Sequence, residues 1–520
     1  MLYRALWNYP FNSAANFQLA QIYSSQGNYD MALERLEEAL IYNGNNLPAR
    51  NLKTTILRKL GKIKEAKESS AQVLKVSPVN AYAMREKQIL EGGNDFSTLM
   101  RDEVEQYIEL ALKYMHNGFD IDAIELLKYI DSKKEYPTVK MWLGHFAEKS
   151  GDVSEAKLLY KKALKLPVDF CNPFRLETLS LLRHIEKYYP KSDVLHYYLG
   201  NILYDKQQLA GMKEWKKCLE INEDYTMAWR NLGYANWKYT KDFAEAALCY
   251  EKAIELDNKQ PIFFEEYDQV LEAMGADVKK RYNVLKNNHK VCEKRYYPLA
   301  NEVITGTFVG DYDYVLKLLK ECYFPTREGV ANFHDVYVDA LLMAGNAKVE
   351  EGKIQEAIKL YNEAFKFPEN HQVFVFDTKR PRDAQIYCMI AQAYEKNGDS
   401  KNAKANYIAA TNVNAKYTQY RYWQGIAFQK LGHFGIAKAL FEALKNEGEK
   451  GFVTSYVNFY GAEGTTGKTV EAINANAHYI RGLGLLGLKE TKAASDDFKA
   501  SLKLRPHLLW SKEMLKEASK

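Results

Sequence analysis

Ala391-Gln-Ala-Tyr394-Glu-Lys-Asn-Gly398-Asp-Ser-Lys-Asn-Ala403-Lys-Ala-Asn-Tyr407-Ile-Ala-Ala410 is the stretch that decides the fold. Small and aromatic residues stand three and four apart on either side of Gly398, which is the period of a helix face and not the alternation of a strand. A glycine between two such faces reads as a tight turn joining two antiparallel helices. The small residues at 391 and 410 let the helices approach closely, and the aromatic at 407 fills the gap beside them.

The same skeleton recurs along the chain with a period near 34, as from Ala32 to Ala66. Clean copies are Gly345, Gly352, Ala357, Tyr361, Ala364 and Gly425, Gly432, Ala437, Phe441. Others begin at Ala20, Gly61, Ala111, Gly144, Gly200, Gly233 and Gly482, and a divergent one lies around Gly310, Val315, Leu319 and Cys322. In most copies the first small residue and the aromatic are sixteen positions apart, as in Gly144 to Tyr160. Gly200 to Trp215 is one short and Gly233 to Tyr250 one long, and both slips are expected in the inter-helix turn. In the last copy Lys489 takes the turn glycine's place. One helix pair cannot bury its apolar stripe alone, so neighbouring pairs must stack.

This spacing and residue set resemble the tetratricopeptide repeat, whose Trp-x-x-Leu-Gly opening is matched by Trp229-Arg-Asn-Leu-Gly233. The expected fold is all-α, a superhelical solenoid of about ten helix pairs with irregular insertions. Insertions are expected near 85–100, 166–192, 257–300, 366–384 and 446–475, where the chain runs too long for a bare turn. The blocks they suggest are 1–98, 99–270, a divergent helical linker over 271–344, and 345–520.

Between the repeats, Phe324-Pro-Thr-Arg-Glu-Gly329, Phe333-His-Asp-Val-Tyr-Val-Asp-Ala340, Pro368-Glu-Asn370, Ala14-Ala-Asn-Phe and His478-Tyr-Ile-Arg-Gly482 stand out. They resemble the tetratricopeptide C-terminal half of bacterial proteins carrying domain of unknown function 5107. In that family a β-rich domain related to carbohydrate-active sandwiches usually precedes the helical region. The resemblance implies a module, carries over no catalytic residue, and makes an absent N-terminal domain a candidate partner. Met1-Leu-Tyr-Arg-Ala-Leu-Trp-Asn-Tyr-Pro has no signal-peptide layout and starts as if cut from a longer protein, so a cytoplasmic location is the expectation.

Composition narrows the function classes. With 72 Lys+Arg against 67 Asp+Glu, the net charge of +5 is too small to supply a nucleic-acid stripe. No apolar run approaches the roughly 18 residues of a membrane span. Six cysteines without a CxxC pair signal neither a disulfide framework nor a zinc site, and the ten histidines show no ligand spacing, so no metal and no cofactor is expected. Ala462-Glu-Gly-Thr-Thr-Gly-Lys-Thr469 imitates a phosphate loop but has Ala462 where the first glycine is required. No nucleophile or paired-acid motif stands out, so an enzyme is not expected.

What remains is the groove lined by the first helix of each pair. Taking Gly200 and Gly233 as tight-packing positions, Val194, Tyr197, Asn201 and Tyr204, then Met227, Arg230, Tyr234 and Trp237, face inward. His145 and Glu148 precede them, and Tyr422 and Gln429 belong to the C-terminal block. Tyr197, Asn201, Tyr204, Arg230, Tyr234 and Trp237 are therefore the candidate ligand-binding residues, because Tyr, Trp and Arg anchor interfaces. The competing reading is that Tyr204 and Trp237 pack between helices. Expected partners are a protein or peptide segment, or the missing β-rich domain. The alternative is a helical accessory to a carbohydrate-active enzyme, with groove aromatics stacking on sugar rings.

Overall fold

The computed structural model describes residues 1–325, 333–372, 380–455 and 469–520. Among them are thirty α-helices and one π-helical turn, and the strand-like pairing among the described residues is a single isolated bridge between Phe324 and His371. Thr469 caps the Val470–Gly487 helix by accepting from the Ala472 N–H at 3.1 Å, while 461–468, with most of the phosphate-loop imitation, lie outside the described residues.

The turn chemistry follows from the residues. After the Asp383–Lys396 helix, Gly398 adopts φ +78°, its N–H donates to the Glu395 carbonyl at 3.0 Å, and the Asp399 N–H donates to Tyr394 at 2.9 Å. That left-handed step satisfies carbonyls at the helix end. The Asp399 carboxylate then accepts from the Asn402 N–H at 3.0 Å and starts the Ser400–Thr411 helix. Lys489 holds the same backbone conformation at φ +66° without glycine's freedom.

Packing across each pair needs the small residue. A Cβ at Gly345 would lie 2.2 Å from the Tyr361 ring, one at Gly425 2.4 Å from Phe441, and one at Gly144 2.5 Å from Tyr160. The phenols are then satisfied from the first helix: Tyr407 donates to Glu395 at 2.9 Å, Tyr160 to Glu148 at 3.1 Å and Tyr314 to Glu302 at 2.7 Å. The Tyr407 and Tyr160 rings are buried as apolar plates with their hydroxyls paired, and Tyr314 is half-buried.

The two slipped copies show how the repeat absorbs a residue. In regular copies the second helix begins nine positions after the small residue, as Ile354 does after Gly345. After Gly200 it begins at Gln208, one position early. After Gly233 it begins at Phe243, one late, and the extra residue is taken up by a π turn over Asn236–Thr240 followed by Lys241 at φ +60°.

The chain forms two compact units, Met1–Ala228 and Trp229–Lys520. In the first, the expected insertion at 166–192 contains the Leu176–Glu186 helix. It is fastened by Arg175, which pairs with Glu105 and, at 3.1 Å, with Glu109, and by the Tyr136 hydroxyl donating to the Phe170 carbonyl at 2.8 Å.

In the second unit the insertion at 257–300 supplies the Pro261–Ala273, Val278–Asn287 and His289–Cys292 helices. The Leu509–Ala518 helix and the turn before it reach back to three first helices. Arg505 meets Glu272 at 3.4 Å, Lys512 donates to the Phe308 carbonyl at 2.6 Å, and the Trp510 indole donates to Asp339 at 2.6 Å. Several residues that stand out between the repeats pack the unit together. Phe324 stacks on Phe333 at 3.9 Å, Asn370 donates to the Leu319 and Cys322 carbonyls at 2.9 and 2.7 Å, and Arg481 grips Asp497 with two hydrogen bonds.

Candidate functional site

On the first-helix side of the first unit lies a cavity of about 560 Å³. One wall is the Pro137–Lys149 helix, the other the inserted Leu176–Glu186 helix, with Met115 contributed by the Val104–His116 helix. Trp142, Met115 and Leu181 give it apolar lining; Ser180 and Glu177 stand on the inserted helix, and His145, Glu148 and His184 add hydrogen-bonding groups. Trp142 is 3% exposed, its ring lies edge-on to His145 at 5.5 Å, and its Nε1 finds no hydrogen-bond acceptor among the described residues.

Glu148 is the electrostatic centre. It accepts from the Tyr188 hydroxyl at 2.6 Å and from Tyr160 at 3.1 Å, and lies 2.8 Å from His184 Nε2. Partial burial would raise its carboxyl, but the hydrogen bonds from Tyr188, His184 and Tyr160 outweigh it and hold the group below the usual range. His145 moves down, first because burial disfavours its cation and second because Lys149 is close. A neutral imidazole over an apolar floor, next to a fixed carboxylate, can both donate to and accept from a ligand.

The six expected residues fall on different units. In the first, Tyr197 is buried, with its ring 4.9 Å from Tyr225, while Asn201 accepts from the Trp215 indole at 3.0 Å and Tyr204 lies against the same indole at 5.0 Å. In the second, Arg230 makes a two-pronged pair with Glu266, its Nε donating at 2.8 Å, and its guanidinium sits 5.1 Å over the Tyr234 ring. Trp237 lies at 6.1 Å from Tyr234, packs against the core around Tyr250 and Tyr267, and carries Lys238 3.3 Å over its face. Tyr422 is buried beside Phe441.

His145 and Glu148, placed on the groove by spacing, do line the cavity. Trp142, Ser180, Leu181 and His184 were missed. Their signal was the length of the 166–192 insertion, which announced extra structure without saying where it folds back.

Near the cavity, Glu186, His196 and Glu214 converge closely enough to suggest an ion site. Arg183 and Lys217 already sit on Glu214 at 3.0 and 3.2 Å, and both His196 nitrogens face oxygens, Glu214 at 2.7 Å and the Pro190 carbonyl at 3.0 Å. The cluster is a neutralised ion-pair network.

Tetratricopeptide-repeat models match residues 17–47, 137–167, 228–260, 338–371 and 384–417. The chain thus carries tetratricopeptide repeats, and its fold class is the all-α, α–α superhelix that such repeats build. Among solved structures it is similar to YrrB, described as a tetratricopeptide-repeat protein with an unusual peptide-binding site, at 14% identity over 35% of this chain and 90% of that one, TM-score 0.27. It is also similar to yeast Tom70, at 12% identity over 98% and 96% of the two chains, TM-score 0.28. A third is a tetratricopeptide-repeat protein from Parabacteroides merdae, at 12% over 56% and 98%, TM-score 0.23. No helix of the described residues is long and apolar enough to cross a membrane.

Proposed function

We propose that the chain is a non-catalytic scaffold whose first unit captures a peptide or protein segment, an apolar side chain entering the cavity beside Trp142 while backbone groups meet His145, His184 and Glu148. One observation carries this reading. A buried indole N–H without an acceptor lies beside a cavity of about 560 Å³, within the range of about 300–1,000 Å³ in which ligands are held. An unpaired buried donor costs free energy, so an occupant that brings a carbonyl or hydroxyl gains by meeting it.

Tyr197, Asn201 and Tyr204 extend the aromatic and amide character of the first unit. Arg230, Tyr234 and Trp237 are proposed as a separate recognition patch of the second, where a half-buried arginine over tyrosine supplies the chemistry that anchors interfaces. The β-rich domain implied by the resemblance to the 5107 family is one partner to try. Six free cysteines suit a reducing compartment and favour the cytoplasm.

The experiment is a peptide-display selection against the full chain, followed by titration of the selected peptide into wild type and Ser180→Trp, which fills the cavity from an exposed position. Affinity should fall more than about tenfold with unchanged helical circular dichroism, about 1.4 kcal/mol of binding. Unchanged affinity would remove the cavity as the site. Glycan hydrolysis by the chain alone would refute the non-catalytic reading.

A further inference from the structure

We infer that His289, Glu293 and Cys322, in the second unit, form a divalent-cation site suited to zinc. Sequence spacing hid it. His289 and Glu293 are one helical turn apart, but Cys322 follows the Tyr312–Glu321 helix, 29 positions beyond Glu293. The fold brings one ligand atom from each within 4.8 Å of the others.

Three features point to a cation and not to an accidental cluster. His289 Nδ1 lies 2.9 Å from a carboxylate oxygen of Glu302, which is fully buried and also takes the Tyr314 hydroxyl at 2.7 Å. A buried carboxylate behind the imidazole fixes the tautomer with Nδ1–H donated backward and the Nε2 lone pair pointing outward, the arrangement that supports histidine as a zinc ligand.

The spacing at the front also fits. Nε2 stands 3.4 Å from Glu293 Oε2, too long for a good hydrogen bond. With zinc–nitrogen and zinc–oxygen bonds of about 2.0 Å at a tetrahedral angle, the two ligand atoms should be about 3.3 Å apart. Cys322 supplies the soft ligand.

Charge completes the case. The charged groups that act most on Cys322 are Glu293, Glu302 and Glu321. Glu321 has Lys317 at 3.9 Å, but among the described residues neither Glu293 nor Glu302 has a lysine or arginine partner. Three protein ligands leave a fourth position for water. Binding displaces the Cys322 proton to solvent and ties the His289–Cys292 turn to the end of the Tyr312–Glu321 helix.

The test uses the tag-free full chain and zinc ion alone, titrated against a chromophoric chelator, with cobalt(II) as the spectroscopic substitute. One equivalent of zinc should bind, and cobalt should show a thiolate-to-metal charge-transfer band. Cys322→Ser should abolish that band, and His289→Gln should weaken zinc by more than about tenfold, while His433→Gln changes nothing. Glu302→Gln, a positioning change behind the histidine, should weaken binding by roughly 10–100-fold while keeping the band at saturating cobalt. Circular dichroism establishes that each variant is folded. No zinc retained against the chelator, or equal retention by Cys322→Ser, overturns the site: His289 would then be an ion-paired imidazole between two carboxylates.

Discussion

The two units use the same helix-pair chemistry and differ in what covers their first helices. In Met1–Ala228 an inserted helix comes down beside Pro137–Lys149 and leaves a cavity with an unpaired indole N–H. In Trp229–Lys520 the Leu509–Ala518 helix covers comparable positions with its own side chains, and its indole is satisfied, Trp510 donating to Asp339 at 2.6 Å. Both are tryptophans on a helical face. Among the described residues one has a partner inside the chain and the other does not, and the difference comes from the segments added to the repeats and not from the repeats themselves.

The largest effect that can break this comparison is expected at Arg382, which is nearly buried and holds Asp335 at 2.9 Å as well as Asp339. Arg382→Met removes the cation and leaves Asp339 beneath the Trp510 cover, at a cost of about 3–5 kcal/mol. Urea denaturation should show the loss, while a peptide selected on the first unit should bind with unchanged affinity. A loss of binding in step with stability would show that the units do not divide the labour.

A smaller cost tests the repeat itself. Gly345→Ala drives a methyl group into the Tyr361 ring and should destabilise by about 1–3 kcal/mol. Gly233→Ala should cost less, because its nearest ring atom on Tyr250 is 3.0 Å away and not 2.2 Å. Equal costs would mean that the π turn buys no looser packing.

The second unit should also respond to acid. His334 is buried, and burial first and Arg380 second push it down to about 4. Its Nδ1 is 2.7 Å from the Arg380 guanidinium, and its Nε2 is 2.9 Å from the Lys366 carbonyl, a neutral tautomer's pattern. The unfolded histidine titrates near 6.5. Between about pH 6.5 and pH 4 the unfolded chain binds the extra proton, so this contribution is full above 6.5 and is lost as pH falls toward 4. The slope of stability against pH in that window should flatten in His334→Gln. The smallest expected effect is a gain: Lys489→Gly relieves a left-handed residue and should stabilise by about 1 kcal/mol, read as a rise in Tm.

How much of this could be read from sequence depends on distance along the chain. The pairs Gly345–Tyr361 and Gly425–Phe441 were legible because both partners lie within one repeat, and so was Lys489 in the glycine's place. The residue gained after Gly233 was countable, but its absorption by a π turn over Asn236–Thr240 depends on local hydrogen bonding that counting does not reveal. His145 and Glu148 were legible as groove positions. Ser180, Leu181 and His184 were not, because an insertion carries no register relative to the helix it covers. For the same reason Cys322 and His289 show no ligand spacing, and the stretch around Phe333 did not disclose that Asp335 and Asp339 pair with Arg382.

The most direct measurement is hydrogen exchange of the full chain with and without a selected peptide. Protection is expected in Val104–His116, Pro137–Lys149 and Leu176–Glu186, the three helices around the cavity, with the Leu509–Ala518 helix unchanged. Protection confined to Thr226–Ala235 and the helices of the second unit, with those three helices unaffected, would contradict the assignment of binding to the open face of the first.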